Sequence, residues 1–163
     1  TALPLRVVRI PHPCPNEVYE SRMAEAVAGA VADGFTHVAF GDLFLDDVRR
    51  YREERLAGTG LEPLFPVWGL PTARLAEEMI EHGLQARLSC IDTRVLDADF
   101  AGRPFDRALL NELPNNVDPC GENGEFHTCV IAGPMFDDAL DVEIGETVTR
   151  EPFIWTDLGL RQA

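Results

Sequence analysis

The segment Asp118-Pro119-Cys120-Gly121-Glu122-Asn123-Gly124-Glu125-Phe126-His127-Thr128 sets two carboxylates three residues apart, among two glycines and beside a histidine. Gly121 and Gly124 permit a tight backbone that another molecule can approach closely. On such a bend Glu122 and Glu125 can accept hydrogen bonds from a cation or an amine, or one can serve as a general base near neutral pH. The competing account, which composition alone favours, is a polar loop feeding a strand with both Glu in water. A second candidate is Gly41-Asp42-Leu43-Phe44-Leu45-Asp46-Asp47, directly after the short apolar run His37–Phe40. Ligands of open α/β sheets bind at the carboxyl ends of strands. Gly41 would admit a nucleotide there, and Asp42 could hold a hydroxyl or a hydrated Mg²⁺. The plainer account is that Asp46 and Asp47 favour the positive end of a helix.

Other chemistries find less support. Cys120, His127 and Cys129, with His12 and Cys14, lack the paired spacing of structural zinc, so no metal site is expected. No G-x-S-x-G or Ser-His-Asp arrangement occurs. All 14 basic residues are Arg, which excludes a Schiff-base lysine, a phosphate-loop lysine and a lysine general base. The net charge of −14 argues against sequence-independent nucleic-acid binding and against anionic membrane surfaces. No apolar run reaches the ~18 residues of a membrane span. Four irregularly spaced Cys are expected as free thiols in a reducing cytoplasm.

These residues need elements to position them. Leu5–Ile10 reads as a strand stopped by Pro11, and Glu17–Ala32 as a helix with Asn16 at its cap. His37–Phe40 is the run expected of a buried parallel strand, and Leu45–Ala57 a helix with a charged face that includes Arg49, Arg50, Arg52 and Arg55. Such arginines usually face water, though they can grip phosphate or carboxylate bidentately. Leu64–Trp68, a helix from Thr72 to about Glu81, and Arg87–Ile91 repeat the strand–helix–strand alternation, which predicts a mainly parallel sheet. A short helix at Phe105–Leu113 and closing antiparallel strands at Phe126–Ile131, Leu140–Ile144 and Phe153–Thr156 complete the reading. A boundary falls near residue 69.

Taken together, GDLFLDDVRRYREERL (41–56), PLFPVWG (63–69) and DPCGENGEFHT (118–128) resemble the ATP-binding family that includes diphthine–ammonia ligase, within the adenine nucleotide alpha hydrolase (PP-loop, HUP) superfamily. The resemblance covers nearly the whole chain and leans toward the family's bacterial members. It implies an α/β fold: a HUP-type, Rossmann-like nucleotide-binding domain over 1–69 and a smaller family-specific α+β domain over 70–163. It also implies ATP and Mg²⁺ as cofactors, with a small-molecule or protein carboxylate adenylated and then amidated. By position, Glu122 and Glu125 match the family's E-x-G-E signature as catalytic residues, Gly41 and Asp42 fall on a nucleotide-side loop, and Arg49, Arg52, Gly121, Gly124 and His127 line the substrate side.

The chain departs from that pattern at three places. The S-G-G-K-D-S pyrophosphate loop is absent, Asp46-Asp47-Val48-Arg49 stands where the ligases carry Asp-Tyr-Gln-Arg, and Asn123 replaces a frequent Gly. The phosphate-binding segment is therefore expected before Thr1, and the 163 residues alone are expected to bind ATP weakly or not at all. Two other readings stay open: a non-catalytic nucleotide- or ligand-binding module, and an ATP pyrophosphatase in cofactor salvage. The oligomeric state is open, a homodimer included.

Overall fold

The computed structural model describes residues 3–161. Their contacts divide the chain into two units, the first ending at Gly69 and the second beginning at Leu70.

In the first unit, residues 3–15 run without regular structure. The strand expected at Leu5–Ile10 does not form. Pro4, Pro11, Pro13 and Pro15 remove backbone donors along this stretch, and it joins neither sheet of the described residues. Helix α1 (Asn16–Ala32) follows Pro15, whose extended backbone occupies the cap position in place of Asn16, and none of its residues is buried. Strands β1 (His37–Ala39) and β2 (Glu62–Leu64) pair in parallel, His37 opposite Glu62. The connection between them carries α2 (Asp46–Leu56), with Asp46 and Asp47 in its first turn and Arg55 in its last, the polarity that complements the helix dipole. Leu43, Leu56 and Leu61 are the buried apolar residues around this crossover.

The second unit opens with α3 (Thr72–Glu81) and continues into β3 (Gln85–Asp92). A single 3₁₀ turn (Ala98–Phe100) and α4 (Arg107–Glu112) lead to β4 (Phe126–Ala132), β5 (Val142–Arg150) and β6 (Phe153–Leu160). The four strands lie in the order β4-β3-β6-β5, and every pairing is antiparallel. The expectation of a mainly parallel sheet is therefore corrected: the fold is mixed α/β, with a two-stranded parallel pair and a four-stranded antiparallel sheet. The strand after α3 looked like the next member of a parallel series but pairs with β4 and β6 instead. Leu88, Ile91 and Leu109 are fully enclosed in the core, with Ala76 of α3, Phe105, Phe126 and Ile154 around them.

Boundaries also move: the strand expected at Leu64–Trp68 lies at Glu62–Leu64, and residues 66–69 form a turn instead. Helix α4 begins later than Phe105 because Asp106 is extended and its Oδ1 accepts the Leu109 amide at 2.8 Å, capping the helix. Strand β5 runs on through Gly145 to Arg150, with a register shift against β6 between Ile144 and Thr147; at Gly145 a Cβ would lie 3.0 Å from the Asp157 carboxylate on β6. Strand β6 likewise extends past Thr156 to Leu160. None of the helices among the described residues is long and apolar enough to cross a membrane.

Candidate functional site

In the second unit, the turn between Val117 and β4 is built around two carboxylates. The Asp118 Oδ2 accepts the amides of Cys120 and Glu122, both at 3.0 Å. The Glu125 side chain folds back into the loop: Oε1 accepts the Asp118 amide and Asn123 Nδ2, and Oε2 accepts the Asn123 amide, each at 2.9 Å. Gly121 and Gly124 donate to the carbonyls of Asp118 and Gly121. Pro119 has no N–H, so every amide from Asp118 to Gly124 is spent inside the loop. No backbone donor is left for an anion; the loop can offer a ligand carbonyl oxygen and carboxylate. This is the opposite of a phosphate-binding nest, whose N–H groups point at the ligand.

Gly121 is required twice over. Its φ is 70°, and a Cβ would stand 2.8 Å from the Phe126 carbonyl and 3.2 Å from the Phe126 ring. Cys120 tethers the loop to α3 by donating its Sγ–H to the Thr72 carbonyl at 3.4 Å. Burial, with the Asp118 and Glu122 carboxylates close by, pushes that thiol up to about 12, so it stays protonated and is no nucleophile at neutral pH.

The two glutamates thus have different surroundings. Glu125 is 5% exposed. Burial raises its pKa, but the hydrogen bonds from the Asn123 side chain and from the Asp118 and Asn123 amides outweigh that and hold it below the ordinary carboxylate value. Its oxygens are committed to the turn. Glu122 is half-buried and lies close enough to Cys120 to raise its thiol. His127 is exposed on β4 opposite Cys90, on the strand rather than in the turn. Among the described residues no cluster of three His, Cys, Asp or Glu could hold a metal ion.

Sequence reasoning passed over a neighbouring pair. Asp92, at the end of β3, donates its amide to the Glu125 carbonyl at 2.8 Å, and its buried carboxylate accepts from Arg94. An Asp-x-Arg at a strand end was the available signal, too common to stand out.

In the first unit, Gly41 and Asp42 leave the carboxyl end of β1. The Asp42 carboxylate meets Arg52 two-pronged, at 2.6 and 3.0 Å, instead of standing open to a hydroxyl or a metal. Arg52 lies 4.3 Å over the Phe40 ring, Phe40 stacks on Phe65 at 5.6 Å, and Arg49 sits 4.7 Å from both the Phe65 and Trp68 rings. Arg49 also donates Nε to Glu53 at 2.8 Å. Both arginines assigned to the substrate side therefore knit α2 to the ends of β1 and β2. Gly41 differs from the other glycines of the described residues: its φ is not positive, and no atom lies within 4 Å of where a Cβ would be.

An α+β unit carrying a glycine-hinged, carboxylate-braced turn, attached to an α/β unit with a parallel strand pair, is the class that this architecture defines. Within it, the model of the family described as "Diphthamide synthase C-terminal domain" matches residues 71–158, more than half of the chain, and the chain belongs to that family. A diphthine–ammonia ligase of Bos taurus is 33% identical over 112 residues, covering 65% of this chain and 42% of its own length. Relatives of the same name from Danio rerio and Homo sapiens are 31% identical over 121 residues and 32% over 110. The chain spans less than half the length of these curated relatives, between 41% and 48%.

Proposed function

We propose that this chain is part of an ATP-dependent, amide-forming ligase resembling diphthine–ammonia ligase, with its first unit belonging to a HUP-type nucleotide fold. A carboxylate oxygen attacks the α-phosphorus of ATP and pyrophosphate leaves; ammonia then attacks the acyl carbon of the adenylate and AMP leaves. Ammonia does not displace hydroxide from a carboxylate at neutral pH, whereas AMP is a competent leaving group. Mg²⁺ arrives with the nucleotide as part of the substrate, since the Asp42 carboxylate is engaged by Arg52.

The observation that carries the reading is the turn at 118–124, whose backbone amides are all spent within the loop. With its amides turned inward it suits a ligand rich in N–H, such as ammonia or ammonium, and would repel a second anion. Glu122 is then the carboxylate that meets the amine, and Glu125 the positioning residue that holds the turn in shape. On the nucleotide side, Gly41 is a glycine that neither its backbone angle nor its neighbours demand. Close approach of a ligand accounts for it. The Asp42–Arg52 pair and the Arg49–Trp68 contact keep that strand end in place.

The test is carboxylate-dependent exchange of labelled pyrophosphate into ATP by the full-length protein, followed by amide formation when ammonium is added. Glu122→Gln should leave exchange intact and slow amide formation. A protein that binds nucleotide but gives neither exchange nor amide is a binding module instead. One that cleaves ATP to AMP without needing a carboxylate is a pyrophosphatase.

A further inference from the structure

We propose that Arg94 is an oxyanion-binding residue, held ready by the buried carboxylate of Asp92, and that its ligand is a carboxylate or phosphoryl group. The geometry is lopsided. The Asp92 side chain is 8% exposed and that of Arg94 67%, a wider disparity than in the other ion pairs of the described residues. The Asp92 Oδ1 accepts the Arg94 amide at 2.9 Å, which closes the turn after β3. One neutral oxygen would suffice for that, and an Asn supplies it equally well. The negative charge and the second oxygen go to the guanidinium instead: Nε lies 2.9 and 3.0 Å from the two oxygens, and Nη2 donates to Oδ2.

Burying a carboxylate is costly, and here the result is one guanidinium fixed at the surface. Of its five donors, Nε and one of Nη2 are spent on Asp92, its one hydrogen-bonding partner among the described residues. The outer edge, made of Nη1 and the remaining Nη2 hydrogen, is the edge that takes a carboxylate or phosphate with two parallel bonds. The mounting is rigid as well. The Asp92 amide donates to the Glu125 carbonyl, while the Thr93 amide and hydroxyl both donate to the Pro152 carbonyl, at 2.9 and 2.8 Å. The arm is thereby pinned to the residues that open both neighbouring strands, as a preorganised site requires.

Asp92 abuts Glu125, the last residue of the turn whose backbone amides are spent inside it, so the guanidinium edge and that loop share one end of the sheet. The proposal requires only an oxyanion and does not depend on the ligase reading.

The experiment is an NMR titration of the ¹⁵N-labelled chain with inorganic phosphate and, separately, with glutarate, at constant ionic strength and without nucleotide. The expected result is a saturable shift of the Arg94 Nε–H signal and of the Thr93 and Val95 amides with at least one probe. Saturation by phosphate alone assigns a phosphoryl ligand, by glutarate alone a carboxylate, and by both an unselective oxyanion site. Arg94→Lys, which loses the fork but keeps the charge, should weaken the apparent Kd at least tenfold, and Arg94→Gln should abolish saturation. Linear drift with both probes overturns the proposal. So does a Kd unaltered by Arg94→Lys.

Discussion

The Glu125 carboxylate reaches back seven residues to accept the Asp118 amide at 2.9 Å, closing the turn that leads into β4. The same group holds both the backbone and the side chain of Asn123, so one buried anion fixes three donors. Glu125→Gln replaces an acceptor oxygen with a donor and leaves at least one amide unpaired. Urea unfolding should show a loss of about 1–3 kcal/mol.

That stabilisation carries a pH signature. The folded pKa of Glu125 lies below its ordinary value, so the contribution is fully present above the unfolded carboxylate value of about 4.3 and is lost as pH falls through the folded one. Between pH 7 and 5 the gap in urea midpoint between wild type and Glu125→Gln should be constant. Below about pH 4 it should narrow. A gap that widens there contradicts the ionised, hydrogen-bonded state.

Much of the fold was legible because it is local. Apolar spacing placed α1, α2 and α3 within a few residues, and the short runs at β1, β3 and β4 were visible as strands. Partner choice was not, since nothing in Arg87–Ile91 says that its neighbours will be β4 and β6 rather than β2. At the candidate site, the glycines and the two Glu stood out by type and spacing. Which of the two is buried was not legible: Glu125 is buried and Glu122 half-buried, and their spacing treats them alike. Arg49 and Arg52 read as anion grips, yet their aromatic partners lie 16 and 12 residues away in sequence, at Phe65 and Phe40.

Alanine substitutions separate glycines required by the fold from the one assigned to a ligand. Gly121→Ala meets both a positive φ and the Phe126 carbonyl and should cost more than the roughly 1 kcal/mol of a simple left-handed position. Gly41→Ala should be neutral or stabilising by about 0.4–1 kcal/mol. In the full-length protein the same substitution should weaken nucleotide binding, read by titration calorimetry. Unchanged affinity would remove Gly41 from the site.

The Arg49 guanidinium lies against Trp68, one of two tryptophans in the chain. Arg49→Gln should lower stability by about 0.5–1 kcal/mol and shift the Trp68 fluorescence, whereas Arg50→Gln should do neither. Equal effects from the two would mean that the contact with the ring is idle.

Cys120 should resist alkylation in the folded protein. With its thiol near 12, only about one molecule in ten thousand is thiolate at pH 8. Iodoacetamide followed by mass spectrometry should therefore modify Cys120 only under denaturing conditions. Rapid labelling of the native chain at Cys120 would contradict its place against Thr72.

The most direct test of adenylation followed by amidation follows an oxygen atom. A carboxylate labelled with ¹⁸O in both positions is incubated with ATP, Mg²⁺, ammonium and the full-length protein, and the nucleotide product is weighed by mass spectrometry. The account predicts one ¹⁸O in AMP for each amide formed and none in pyrophosphate. AMP that carries no label, or label appearing in inorganic phosphate, contradicts it.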